Sequence, residues 1–203
     1  MNRIFTALLY SALSLTMTFW ASMLSAQAVT AQQSAPIDIT GNWVALVTED
    51  WRFRMITAPA GDYPGISLNQ AGQQIATAWD PIADTAAGDQ CKAYGAAGIM
   101  RIPTRLNISW ASENVLSIET DAGMQTRLLK FSSAQDNIGA GSLQGVSKAR
   151  WDIRREGRGG PVVGGNLEVT TTDMMPGYFR RNGVPYSDQA SMTEYFEIVT
   201  QDD

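Results

Sequence analysis

Alternating hydrophobic and polar residues dominate the chain after Ile37. This period-two pattern is typical of strands that bury one face. The connections over residues 111–114 and 121–124 have hairpin length, so the three strands that they join are predicted to form an antiparallel meander. The pattern predicts eight strands in all, at residues 41–48, 51–57, 105–110, 115–120, 125–131, 146–153, 167–172 and 192–200.

One segment, residues 67–79, has helical rather than strand periodicity. Ser67 can cap the helix, Gln70 stands in capping-box position, and the Asp80-Pro81 pair ends it. Its apolar residues form one stripe, made of Leu68, Ala71, Ile75, Ala78 and Trp79.

Together these elements predict a mainly β fold, an antiparallel eight-stranded lipocalin-like barrel with one short helix. Eight strands suit a barrel that holds side chains or one small ligand, and closure removes unpaired edges. A two-sheet sandwich is the competing architecture. Residues 82–98, 154–165 and 176–187 are predicted as loops.

The N-terminus has the composition of a cleavable export signal over residues 1–28. Arg3 supplies the positive charge, an apolar run follows, and Ala26-Gln27-Ala28 matches a cleavage site, with a second at Val29-Thr30-Ala31. The alternative is an uncleaved anchor, since the run is long enough to span a bilayer. We therefore expect a periplasmic or secreted protein with a signal at 1–28, a tether at 29–36 and one domain at 37–203.

Charge and composition narrow the function classes. Without Arg3 the chain has 14 basic and 20 acidic residues, an excess of six negative charges that disfavours binding to nucleic acids or anionic membranes. Histidine is absent, which excludes histidine-dependent catalysis and histidine metal sites. No cofactor, no metal and no membrane span after signal cleavage are predicted. Cys91 is the single cysteine and is expected to be buried and inert.

Two resemblances add to this picture. Gly41-Asn42-Trp43 resembles the Gly-x-Trp element of lipocalins, which implies that Trp43 plugs one end of the barrel beneath a basic residue. Longer stretches resemble a group of uncharacterised exported bacterial proteins that continue for another strand or two, so the barrel need not close completely here. These stretches are residues 49–55, 89–95, 118–123, 177–187 and 193–196.

The candidate site residues are charged and tyrosine side chains. Arg52 and Arg54 share one strand face, and we expect them to meet acidic residues within strands, such as Glu119 and Glu194. Arg101, Arg105 and Arg127 extend this cationic group, and solvent-facing arginines or structural ion pairs are the alternatives. Tyrosines in the intervening loops are candidate hydrogen-bond donors to a ligand, namely Tyr94, Tyr178 and Tyr186.

Three functions remain open. The first is an exported lipocalin-like protein that binds a small, largely apolar molecule, which would explain the six tryptophans and the lack of standard catalytic residues. The second is an isomerase, cyclase or hydrolase that uses carboxylate and tyrosine groups, with Glu119 and Asp121 as one candidate pair. The third is a structural or interaction module of the cell envelope.

Overall fold

A computed structural model describes residues 28–48, 51–131 and 141–199. The fold is mainly β and is built on a curled, half-barrel sheet of seven strands in the order β1-β2-β3-β4-β5-β6-β9. Two further strands, β7 and β8, form a separate hairpin. The strands are β1 Gly41–Val44, β2 Arg105–Ser112, β3 Val115–Thr120, β4 Thr126–Lys130, β5 Val146–Arg155, β6 Val162–Thr172, β7 Gly177–Arg180, β8 Val184–Tyr186 and β9 Met192–Phe196.

The predicted mainly β class and the meander are confirmed, but the sheet is mixed and open, with seven strands, and is not the eight-stranded antiparallel barrel that the pattern predicted. β2, β3 and β4 pair antiparallel, whereas β4 and β5 pair parallel. Parallel neighbours need a crossover connection of about a dozen residues or more, and the segment between β4 and β5 is long enough to supply it. Within the described part of the chain, β1 and β9 are the two ends of the sheet and do not pair with each other.

One face of the sheet carries the main core. The register places Ile108 opposite Ile118 and Leu116 opposite Leu129, so these side chains project to the same side. The strand β3 is buried along nearly its whole length because it lies in the middle of the sheet. The buried core of this apolar face consists of Ile39, Ile108, Leu116, Ile118, Leu129, Leu167 and Val169.

The N-terminal segment 29–40 contributes to that core. Ile39 is buried among the sheet residues, and Ala31 is also buried. The backbone N–H of Ala31 donates to the Asn114 side chain at 2.8 Å, and the Trp151 indole N–H donates to the Ala31 carbonyl at 2.8 Å. The segment expected as a tether therefore packs against the sheet. The predicted signal lies outside the described residues except at its last position.

Within the part of the chain that the structure describes, four short α-helices lie between β1 and β2. They are α1 Trp51–Arg54, α2 Gln70–Thr77, α3 Pro81–Ala87 and α4 Ala96–Ile99, accompanied by 3-10 turns at Lys92–Tyr94 and Ala122–Met124. The helix predicted at 67–79 is confirmed as α2, but its cap is Asn69, whose side chain accepts from the Gly72 N–H at 2.8 Å. Among the described residues, none of the helices has the length and apolar character needed to cross a membrane.

The prediction of a strand at 51–57 is wrong. Residues Trp51–Arg54 form a helical turn, which is closed by a hydrogen bond from the Met55 N–H to the Trp51 carbonyl. A period-two pattern over so few residues does not secure a strand without a pairing neighbour. The loop predicted at 82–98 instead contains helices, and the loop predicted at 176–187 contains the β7–β8 hairpin. Residues 154–165 comprise the end of β5, a turn and the first part of β6.

Trp43 does not plug the sheet as the lipocalin resemblance implied. The residue is 41% exposed, and its indole N–H donates to the Ile39 carbonyl at 2.9 Å. The physical reason is its place on β1, whose four residues are all exposed and which, among the described strands, is an edge strand paired with β2 alone.

Helices α2 to α4 and the β7–β8 hairpin form a second packed unit next to the sheet, here called the helix–hairpin unit. The Ala96 N–H donates to the Leu143 carbonyl at 3.0 Å, and the Gln144 side chain donates to the Tyr94 carbonyl at 2.8 Å. These two bonds fix the unit to the segment before β5. A parallel bridge between Ser142 and Met174 in turn joins that segment to the one after β6.

Candidate functional site

A cleft of about 480 Å³ lies between α2 and the β7–β8 hairpin. We call it the tyrosine cleft. One wall is formed by the start and the outer face of α2, and the other by the hairpin, with Pro185 on β8 and Pro176 just before β7. Tyr178 and Tyr186, two of the residues predicted from sequence, line this cleft.

The helical wall includes three of the five residues of the apolar stripe that the sequence shows. An amphipathic helix usually buries such a stripe against the core. Here Ala76 is the residue of α2 that is fully buried, whereas Ile75 is 51% exposed and lines the cleft together with Leu68 and Ala71. The stripe therefore presents apolar surface to the cleft instead of burying it in the core.

Tyr178 is held in the opposite wall by Asp84. Its hydroxyl donates to Asp84 Oδ1 at 2.9 Å, and the Trp79 indole N–H donates to Oδ2 of the same carboxylate at 2.9 Å. Burial raises the pKa of the Tyr178 phenol, and the bond to Asp84 raises this pKa further. The phenol is therefore un-ionised at neutral pH and its proton is directed to Asp84.

Tyr186 is fixed by close packing rather than by a hydrogen bond. A Cβ atom at either Gly95 or Gly177 would stand 2.5 Å from the Tyr186 hydroxyl oxygen, so only glycine fits at these two positions. The hydroxyl is buried and has no hydrogen-bond partner in the described part of the chain. Burial accordingly raises the pKa of Tyr186. The ring, rather than the hydroxyl, is what Tyr186 offers to the cleft.

Lys92 supplies the charge of the tyrosine cleft. It is the one ionised side chain among the described residues that line it. The Lys92 ammonium lies 2.7 Å from Asp89 Oδ2 and 5.7 Å from the centre of the Tyr178 ring. Its side chain keeps 32% of its surface exposed, so solvent and ligands reach it. The cleft thus combines apolar and aromatic walls with a single cation.

The structure does not bring the other predicted residues to this cleft. Arg52 and Arg54 lie on α1, where Arg52 is exposed and Arg54 donates to the Leu46 carbonyl at 2.8 Å. Glu119 is exposed on β3, and Tyr94 packs against Gly123. The expected cluster of Arg52, Arg54, Glu119 and Glu194 is therefore not formed. Residues 51–54 form the helical turn α1 and are not part of the sheet whose strands β3 and β9 carry the two glutamates.

Glu194 has a different arginine as its partner. Arg127 donates to both Glu194 carboxylate oxygens, at 2.6 and 3.2 Å, and to the Thr171 hydroxyl at 3.4 Å. The Arg127 side chain is fully buried and Glu194 is 17% exposed. Because Arg127 is opposite Ile118 and Glu194 is opposite Val169, the pair lies on the apolar face of the sheet. It is a buried structural ion pair, one of the alternatives that the sequence left open.

Asp121 does not form a catalytic pair with Glu119. Its carboxylate accepts hydrogen bonds from the Thr104 hydroxyl at 2.6 Å, and from the Arg105 backbone N–H at 2.9 Å and side chain at 2.6 Å. These bonds, that of Thr104 first, hold the pKa of Asp121 well below its usual range. The three hydrogen bonds tie the β3–β4 turn to the start of β2. A carboxyl group with so low a pKa stays ionised and is a poor proton donor.

The expectation that Cys91 is buried is wrong, because the thiol is exposed. Cys91 precedes the 3-10 turn Lys92–Tyr94, whose buried residue is Ala93. The turn therefore directs the neighbouring alanine, and not the cysteine, into the protein interior.

Sequence reasoning missed Lys92 and Asp84 as members of the site. Lys92 and Asp84 both lie in residues 82–98, which the sequence predicts as a loop. The available pattern is that a proline stands shortly before each tyrosine, Pro176 before Tyr178 and Pro185 before Tyr186, and proline restricts the backbone there. Comparison with known proteins gives no further guidance, since no family model, no curated protein and no solved structure matches the chain.

Proposed function

We propose that the protein binds a small, largely apolar molecule with an acidic group in the tyrosine cleft. The observation that carries the proposal is the exposed apolar stripe of α2, which faces two tyrosine rings across a cleft of about 480 Å³. Binding sites for small molecules are typically concave and apolar with a few placed polar groups. Filling the cleft would remove the exposed surface of Ile75 from water.

Lys92 gives the proposal its charge preference. A carboxylate on the ligand would compete with Asp89 for the ammonium, and the aromatic face of Tyr178 would remain on the other side of the cation. The acidic group therefore binds at the Lys92 end and the apolar part between Ile75 and Tyr186. The proposal does not need a closed barrel, because the cleft lies in the helix–hairpin unit.

Binding is better supported than carboxylate–tyrosine catalysis. Tyr178 and Asp84 do form such a pair, but the phenol donates a hydrogen bond to Asp84 and keeps its proton, because its pKa is raised still further above neutrality. General acids work best when their pKa is near the working pH. The hydroxyl of Tyr186 is buried and lies close to Gly95 and Gly177.

The test uses 1-naphthaleneacetate and its neutral counterpart 1-naphthaleneethanol, with affinities measured by calorimetry. Ala71→Trp fills the cleft from the exposed face of α2 and is expected to abolish binding of both probes. Ala83→Trp is the matched control, since Ala83 is exposed on α3 and outside the cleft. Lys92→Met is expected to weaken the acid by about tenfold and to leave the alcohol unchanged.

A second measurement addresses the natural ligand. Native mass spectrometry of protein isolated from its own cellular compartment is expected to show a retained small mass, which Ala71→Trp removes. The proposal is wrong if neither probe binds and no mass is retained, or if Ala71→Trp and Ala83→Trp bind equally well.

A further inference from the structure

A second cleft, of about 380 Å³, lies where the N-terminal segment crosses the apolar face of the sheet. Two indole rings, Trp110 and Trp151, line it from the sheet side, and residues 35–40 line it from the other. We call it the tryptophan cleft. It shares no lining residue with the tyrosine cleft among the described residues.

The tryptophan cleft has the opposite charge. Asp38 is the one ionised side chain among the described residues that line it. Both bonds from Thr40 reach the same oxygen of Asp38, Oδ1, at 3.0 Å from the N–H and 2.7 Å from the hydroxyl. Oδ2 is thus left for a ligand. The Thr40 bonds hold the pKa of Asp38 below its usual range, so the carboxylate stays ionised across neutral pH.

The two indoles form a corner. Their ring centres are 6.5 Å apart and the ring planes are tilted by 55°. Phe131 packs against both, at 5.7 Å from Trp110 and 5.3 Å from Trp151. A cation is attracted to an aromatic face within about 6 Å of the ring centre, and Trp is the strongest such partner. A rounded cation in this corner can contact both indoles.

The wall of the cleft is fixed before any ligand binds. The Trp151 indole N–H is bonded to the Ala31 carbonyl at 2.8 Å, and the Gln32 N–H donates to the Glu113 carbonyl at 3.0 Å. Ile39 anchors the other end of the segment in the core. Pre-organisation of this kind reduces the entropy lost on binding.

We propose that the tryptophan cleft binds a small organic cation of the trimethylammonium class. The cation would contact the faces of Trp110 and Trp151, and Asp38 would balance its charge. An ammonium ion with free N–H groups is less suited, since the corner offers aromatic faces rather than a ring of acceptors. This site is independent of the function proposed for the tyrosine cleft.

The experiment compares choline with 3,3-dimethyl-1-butanol, which has the same shape but carries carbon in place of the charged nitrogen. Affinities are measured by calorimetry and by tryptophan fluorescence on the full chain. Choline is expected to bind about tenfold more tightly than the neutral alcohol, because only the charged nitrogen is attracted to the aromatic faces. Equal affinity for the two compounds would overturn the proposal.

Variants separate charge from shape. Asp38→Asn, a change at an exposed position, is expected to weaken choline about fivefold or more and to leave the alcohol unchanged. Asp188→Asn removes one negative charge from another exposed position and should change neither affinity. Trp110→Leu is expected to abolish choline binding, and its folding is checked by circular dichroism. Choline binding that is the same in Asp38→Asn, Asp188→Asn and the unmodified protein contradicts the proposal.

A trimethylammonium group also occurs on phosphatidylcholine, so vesicles of that lipid form a second arm. Binding of free choline alone identifies a soluble solute as the source. If the protein binds the vesicles and phosphocholine displaces it from them, the ligand is the lipid headgroup. This outcome also supports the proposed site, provided that Asp38→Asn weakens the binding to vesicles. Absence of both kinds of binding by a folded protein refutes the inference.

Discussion

Glu194→Gln tests whether the ion pair on the apolar face of the sheet stabilises the fold. The substitution keeps the shape of the side chain but leaves the charge of Arg127 without a counter-ion in a site where its side chain is fully buried. Breaking a buried pair by removing one partner typically costs about 3–5 kcal/mol. Because glutamine can still accept one bond from Arg127, we expect a loss of about 3 kcal/mol, a large share of the stability of a single domain.

The same sheet offers a matched control on its other face. Arg150 and Glu168 form a cross-strand pair between β5 and β6, with one nitrogen–oxygen distance of 2.9 Å. Glu168 and Glu194 are both 17% exposed, but Arg150 is 65% exposed whereas Arg127 is not exposed at all. Glu168→Gln leaves its arginine in water and should cost less than about 1 kcal/mol. The difference between the two variants therefore measures the burial of the arginine that remains.

The assay is urea unfolding followed by circular dichroism, with thermal unfolding as a second measurement. For a domain of this size, a loss of about 3 kcal/mol corresponds to a fall in Tm of roughly 6–12 °C. The double variant Arg127→Met with Glu194→Gln should be more stable than Glu194→Gln alone, because it removes the stranded charge. The reasoning is refuted if Glu194→Gln and Glu168→Gln have the same cost, or if the double variant loses the sum of the single effects.

Three further outcomes are expected. Cys91 should react with a maleimide in the folded protein, and Cys91→Ser should change the free energy of unfolding by less than about 0.5 kcal/mol; a protected thiol would contradict its exposure. Since the pKa of Asp121 is lowered on folding, its stabilising effect is complete above the unfolded pKa of about 4 and is lost progressively as the pH falls from there through the lowered pKa of the folded protein. Asp121→Asn should therefore destabilise the protein at pH 7 more than at pH 3 in urea unfolding, and an equal effect at both would be inconsistent with this. Tyr186→Phe should be neutral or stabilise the protein by up to about 1 kcal/mol, because it removes a buried hydroxyl without a hydrogen bond among the described residues. Tyr178→Phe should destabilise the protein by about 1 kcal/mol, because it removes the hydrogen bond to Asp84. Equal shifts in Tm for the two variants would contradict these assignments.

The strands that the sequence located well are those whose pattern and connections are both local. The hairpin-length links around β3 determined the antiparallel order of β2, β3 and β4, and the helical spacing located α2. Two of the tyrosines predicted for the site, Tyr178 and Tyr186, do line one cleft. In each case the decisive information lies within a few neighbouring residues.

Long-range packing decided the rest. No local pattern specifies that β5 lies parallel to β4, or that Arg127, distant from Glu194 in the chain, becomes its partner across the sheet. Likewise, the stripe of α2 is apolar whether it faces a core or a cleft. Only the position of the β7–β8 hairpin makes Ile75 part of a cleft wall. The sequence determined which surfaces are apolar or charged, whereas the tertiary structure determined which of them meet, because that choice rests on contacts between residues far apart in the chain.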